Sequence, residues 1–157
     1  MDSVETILKD LLASMGIAHS GIVRNEIAGQ TIFAIQIDDG RPLIGHGGDT
    51  VHAIDYLVKK ILEQRSPRAA GAEETEREGV HFLVDVNDYR TKQIKDLQSK
   101  ALMLAERARS FQYDVELTPM SAYERLIVHT TLQDAPNVKT ESQGEGRNRR
   151  VVIKYSA

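Results

Sequence analysis

The chain has 157 residues, 41% of them hydrophobic, no cysteine, and a formal net charge of −3. That length suits one ordinary domain or two small ones, and the missing cysteines exclude disulfides and thiolate metal sites. The first residues, MDSVETILKD, are not a signal peptide, and no apolar run is long enough to span a membrane, so a soluble cytoplasmic protein without membrane insertion is predicted. The charge is uneven: residues 1–79 hold 8 Lys+Arg against 13 Asp+Glu, net −5, whereas residues 80–157 hold 12 against 10, net +2. Any polyanion site is therefore local, and the second half suits it better.

In chain order, Asp2 with Glu5 forms a capping box for a helix carrying Val4, Ile7, Leu8, Leu11, Leu12 and Met15, ended by Gly16. Two β-rich runs, 17–27 and 31–37, meet at Ala28-Gly29 as a hairpin. A short helix around 42–45 leads into a glycine-rich loop. A helix over 50–64 follows, with Val51, Ile54, Leu57, Val58, Ile61 and Leu62 on its inner face. Residues 66–79 have the composition of an exposed charged loop. A strand over 80–86 comes next, then a helix over 88–110 capped by Asn87 or Asp88. Its buried stripe is Leu97, Ala101, Leu104, Ala105 and Ala108. The remainder is a short strand at 115–117, a helix over 121–133 and a terminal hairpin with arms 138–142 and 149–155.

The loop Gly45-His46-Gly47-Gly48 is the first chemical question. No lysine follows as a P-loop requires, and no G-x-S-x-G exists to accompany an esterase oxyanion loop. Two readings remain. Either glycine relieves crowding between two helices, or Gly45, His46, Gly47 and Gly48 form a GXXG clamp whose bare backbone accepts a nucleic-acid backbone.

Arg125 and His129 raise the second question. Four residues apart, they share a helix face. Tyr123, Leu126, Ile127, Val128, Thr130 and Leu132 cover most of the remaining circumference, leaving both in a narrow exposed stripe. They could contact phosphate and stack on a base, or they could be a structural pair holding the terminal hairpin. Arg147, Arg149 and Arg150 arrive together on that hairpin, although strand alternation puts Arg150 and Lys154 on one side and Val151 and Ile153 on the other. The five histidines make no zinc pattern and no nucleophile has a recognisable context, so no metal, no cofactor and no enzyme is predicted.

"LIGHGGDTVHAIDYLV", followed by "VDVNDYR" and by "LTPMSAYERLIVHTTLQDAPNVKTESQGEGRNRRVVIKY", resembles the bacterial Jag (SpoIIIJ-associated) family over about residues 3–155. The resemblance implies an α+β chain. A type II-like KH domain of order α-β-β-α-α-β over 1–87 would precede a small α/β Arg-x-x-x-His domain over 88–157. It implies a single-stranded RNA-binding regulator of cell-envelope growth and division. The implied contacts are Gly45, His46, Gly47 and Gly48 in the first domain, and Arg90, Arg125, His129, Arg149 and Arg150 in the second. A small single-KH-domain protein, or self-association through the KH domain, is the implied protein partner. In the alternative reading that pairing is the main activity and RNA binding is secondary. The family usually has a basic residue between the loop glycines, where this sequence has His46 and Gly47.

Overall fold

The computed structural model describes residues 2–65 and 82–157. The Asp2 side chain of the expected capping box, the 66–79 loop and the first two residues of the expected 80–86 strand lie outside the described residues. The chain is α+β and divides into two compact units, Met1–Arg90 and Thr91–Ala157, each with its own three-stranded sheet.

The first unit runs α1 (Asp2–Ser14), β1 (Gly21–Ile27), β2 (Gln30–Gln36), α2 (Arg41–Ile44), α3 (Asp49–Arg65) and β3 (Phe82–Val86), the expected α-β-β-α-α-β order. Ala28 and Gly29 have φ of 52° and 72°, so they close a two-residue hairpin whose twist suits the flanking strands. β1 pairs antiparallel with β2 from Ile27↔Gln30 to Gly21↔Gln36, and β2 pairs in parallel with β3. The periodic apolar stripes of α1 (Val4, Ile7, Leu8, Leu12) and α3 (Val51, Ile54, Val58, Leu62) pack with Phe33, Ile35, Phe82, Val84 and Val86 of the sheet. Phe33 and Phe82 meet edge to face at 5.7 Å.

Leu57, expected inside, is 44% exposed. The buried positions of α3 follow 51, 54, 55, 58 and 62, which brings Asp55 inward instead. Its role lies at the outer edge of β3, where Val84 turns its N–H and C=O away from β2. The Val84 N–H donates to Asp55 Oδ1 at 2.8 Å, and Arg90 Nη1 donates to the Val84 carbonyl at 3.1 Å. Arg90 Nη1 lies 3.3 Å from the same Asp55 oxygen, and Lys59 Nζ lies 2.7 Å from the other. An ion pair thus occupies the groups that a further strand would use.

Arg90, expected among the RNA contacts of the second domain, is 7% exposed and engaged with Asp55 and Val84 of the first unit. The compact units do not divide at the expected 87/88 but three residues later, at 90/91. Nor do Asn87 and Asp88 cap the following helix, α4 (Tyr89–Phe111). Asp85 Oδ1 accepts the Arg90 N–H at 2.8 Å, while the Asn87 side chain extends the sheet by bonding both backbone groups of Ile37.

In the second unit, Ala101, Ala105 and Ala108 of α4 share a core with Leu117, Val128, Leu132, Val138, Val151 and Ile153. The sheet has the order β4-β6-β5, with β4 (Val115–Glu116), β5 (Val138–Gln143) and β6 (Arg150–Tyr155). Between β4 and β5 runs α5 (Ala122–Leu132).

Arg90→Ala leaves Asp55 buried beside an unsatisfied Val84 carbonyl and should lower stability by about 3 kcal/mol in urea denaturation. Lys59→Ala, at the solvated end of the cluster, should cost less than about 1 kcal/mol in the same measurement.

Candidate nucleic-acid interface

The glycine loop connects α2 to α3. Gly45 ends α2 with φ 73° and donates to the Arg41 carbonyl at 2.9 Å, and a 3-10 turn over His46–Gly48 passes into Asp49. A Cβ on Gly45 would sit 2.2 Å from Thr50 Oγ1, and one on Gly48 would sit 3.0 Å from the Tyr89 ring. What the backbone approaches closely at these two positions is therefore the chain itself. Gly47 differs, since nothing lies within 4 Å of a Cβ placed there, and it is exposed together with His46.

The amides of His46 and Gly47 precede the first bond of the 3-10 turn, so they have no partner inside it. Charge adds little. Arg41, the nearest arginine, forks onto Asp39 through Nε and Nη2, both at 2.8 Å, and holds the Asp39 carboxyl down to about 2. The loop offers backbone donors and the exposed His46 ring.

In the second unit α5 opens with a complete capping box. Ser121 Oγ accepts the Glu124 N–H at 3.3 Å, and Glu124 Oε2 accepts the Ser121 N–H at 2.8 Å. Ile127, Val128 and Leu132 are buried, but Leu126, expected inside, is 45% exposed. The solvent-facing stripe is thus wider than the sequence suggested, and Arg125 and His129 are half-buried beside it.

Both residues are held from behind. Arg125 Nη1 donates to the Met120 carbonyl at 2.7 Å. His129 Nδ1 lies 2.6 Å from Thr140 Oγ1, and Nε2 lies 3.0 Å from Ser142 Oγ. Thr140 and Ser142 are the residues the sequence reading missed. Alternation along β5 sets them on the face of Val138, the core side, and this was the signal available. Burial, and secondarily the Arg125 charge, lower the His129 pKa from its ordinary 6.5, so the neutral ring is favoured. With its nitrogens engaged, this histidine presents ring surface rather than a phosphate donor, and the Arg125 guanidinium keeps donors beyond Nη1.

The hairpin arginines separate. Arg150 pairs with Glu116 and Lys154 with Glu141, on the sheet face opposite Thr140 and Ser142. Arg150 is therefore not brought together with Arg125 and His129, contrary to expectation. Arg149 is exposed just ahead of β6, and its carbonyl accepts the Met120 N–H at 3.2 Å, next to the carbonyl that holds Arg125. Arg147 is exposed in the short turn before it. Among the described residues no carboxylate pairs with Arg125, Arg147 or Arg149.

The Arg-x-x-x-His domain family, named in one-letter code for an arginine and a histidine with three residues between them, matches residues 95–155. The chain is 34% identical over 115 residues to RNA-binding protein KhpB of Bacillus subtilis, which is 72% of this chain and 50% of the relative. It is 31% identical over 116 residues to RNA-binding protein KhpB of Clostridium symbiosum, 74% of this chain and 48% of the relative. The second unit is an Arg-x-x-x-His domain, in a chain of the Jag family. The chain spans about half the length of these two relatives. Arg125 and His129 are the pair that gives the domain its name. Among the described residues no helix is long and apolar enough to cross a membrane.

The lowered His129 pKa has a consequence for stability. A folded state that disfavours the charged ring is most stable above the unfolded value near 6.5, and that contribution is lost as pH falls below it. The melting temperature of the Arg-x-x-x-His unit should therefore decline on acidification from neutrality, and His129→Gln should flatten the decline. In the loop, Gly45→Ala should destabilise the first unit by more than the roughly 1–2 kcal/mol that a left-handed φ imposes alone, because Thr50 stands in the way. Gly47→Ala should cost only that backbone term, as read by thermal denaturation.

Proposed function

We propose that the chain binds single-stranded RNA, with the α5 side of the Arg-x-x-x-His unit as the principal contact and the glycine loop of a type II-like KH unit as the second. The observation that carries this reading is the distribution of arginines about the second sheet. On the face carrying Glu116 and Glu141 those two carboxylates take up Arg150 and Lys154, whereas among the described residues Arg125, Arg147 and Arg149 have no carboxylate partner, and Arg125 shares its helix with the His129 ring. Unpaired guanidinium groups attract phosphate, and a ring fixed by two hydroxyls is a stacking surface of low entropy cost. The relatives named as RNA-binding proteins support RNA as the nucleic acid.

The KH reading of the first unit rests on its element order, its parallel β2–β3 pair and the exposed backbone at His46 and Gly47. With Arg41 matched by Asp39 and no basic residue in the loop, its contact with RNA is a backbone contact and the weaker of the two. A role in cell-envelope growth and division, and a cytoplasmic location, follow from family resemblance.

Titrating the full chain with a short labelled single-stranded RNA across salt concentrations tests this. Three to five phosphate contacts give a slope of about −2 to −3.5 in log K against log salt. Replacing Arg147 and Arg149 together with alanine should reduce that slope by about 1.4 and leave the melting temperature unchanged. Arg150→Ala should leave affinity unchanged. An affinity independent of salt, or one that drops equally for Arg150→Ala, would show that the binding face is misassigned.

A further inference from the structure

β1 is the outer strand of the first sheet, and among the described residues no strand pairs with its second edge. The turn at Ala28-Gly29 determines which of its groups face outward. Ile27 and Gln30 flank a two-residue turn and so form a hydrogen-bonded pair. Gly21, Val23, Asn25 and Ile27 therefore direct their N–H and C=O groups to β2, and Ile22, Arg24 and Glu26 direct theirs to solvent. The bond from the Asn87 N–H to the Ile35 carbonyl, 3.0 Å, agrees, because the same alternation turns Ile35 away from β1.

Edge strands are commonly protected by proline or by charge that repels a second copy in every register. β1 has neither: its sequence is GIVRNEI, with one positive and one negative side chain two residues apart on one face. Only two-fold registers that set outward residues opposite each other can form a ladder. Centring on Arg24 opposes arginine to arginine, and centring on Glu26 opposes glutamate to glutamate. Centring on Val23 brings no opposite charges together. Centring on Asn25 sets Arg24 of each copy opposite Glu26 of the other, twice, and Val23 opposite Ile27. Val23 is 45% exposed in the single chain, and this register covers it.

We propose that two copies of the chain associate antiparallel through β1, in the register centred on Asn25, to make one continuous six-stranded sheet. The partner is another copy because the charge pattern is complementary to itself. The proposal makes no use of RNA, so either can fail without the other. Self-association through the first unit, raised by the sequence, thereby acquires a surface.

The test uses the full chain. Sedimentation across a dilution series should show a monomer–dimer equilibrium. Arg24→Glu alone and Glu26→Arg alone should each weaken it by roughly tenfold, since each converts two attractive cross-strand pairs into repulsive ones. An equimolar mixture of the two variants should regain the wild-type association, because each repulsive pair of one variant is relieved by the other. Geometry supplies an independent check. The chain has no cysteine, so Asn25→Cys introduces a single thiol, and two such residues across a non-hydrogen-bonded antiparallel pair lie about 4.5 Å apart at Cα, within disulfide reach. Mild oxidation should link Asn25→Cys chains into dimers. It should not link Val23→Cys chains, whose thiols are offset by about four residues, roughly 13 Å. A monomer at every concentration, a mixture no stronger than either variant, or equal cross-linking at positions 23 and 25 would each overturn the proposal.

Discussion

The Asp55 carboxylate closes the β3 edge of the first unit's sheet. A three-stranded sheet leaves the central residue of its last strand with an N–H and a C=O that need partners, and Val84 is completely buried. Asp55 accepts from one group and Arg90 donates to the other, and the two partners also lie 3.3 Å from each other. A buried ion pair is seldom favourable by its Coulomb energy alone, because desolvation offsets it. Here each charge also satisfies a backbone group, so removing either one strands the other together with part of the sheet.

The loop depends on the same cluster. Asp85 and the Asp55–Arg90 pair determine where α4 begins, and Tyr89, the residue before Arg90, is the ring against which Gly48 packs. Gly48 is required by that packing and Gly45 by the nearness of Thr50, whether or not a ligand is present. What is left for a ligand is the exposed pair His46-Gly47, with amides unused inside the 3-10 turn. The two explanations of the glycines are therefore divided among positions. Crowding accounts for Gly45 and Gly48, and an open backbone surface remains at residues 46 and 47.

The two sheets treat their surfaces by contrasting means. In the Arg-x-x-x-His unit Glu116 and Glu141 take up Arg150 and Lys154 on one face, while on the other Arg125 has no carboxylate partner among the described residues and the His129 ring is held between two hydroxyls. In the first unit the β3 edge is closed by Asp55 and Arg90, while the β1 edge carries charges that do not repel a copy of themselves.

Much of this was legible in the sequence because it rests on neighbours along the chain. Helical stripes, the Ala28-Gly29 turn, the glycine loop, the Arg-x-x-x-His spacing and the alternation separating Arg150 from Val151 are all local, and the resemblance to the Jag family rested on the same segments. What the sequence could not decide was which polar side chains are consumed internally. Arg90 reads as one more basic residue until β3 and α3 bring Val84 and Asp55 to it, and His129 reads as a free donor until β5 places Thr140 and Ser142 against its nitrogens. Leu57 and Leu126 fit an apolar stripe by spacing, yet only the packing of each helix on its sheet determines which edge of the stripe stays in water. Periodicity is a property of one element. Whether a charge or a ring nitrogen is available depends on atoms that only the tertiary fold brings within hydrogen-bonding distance.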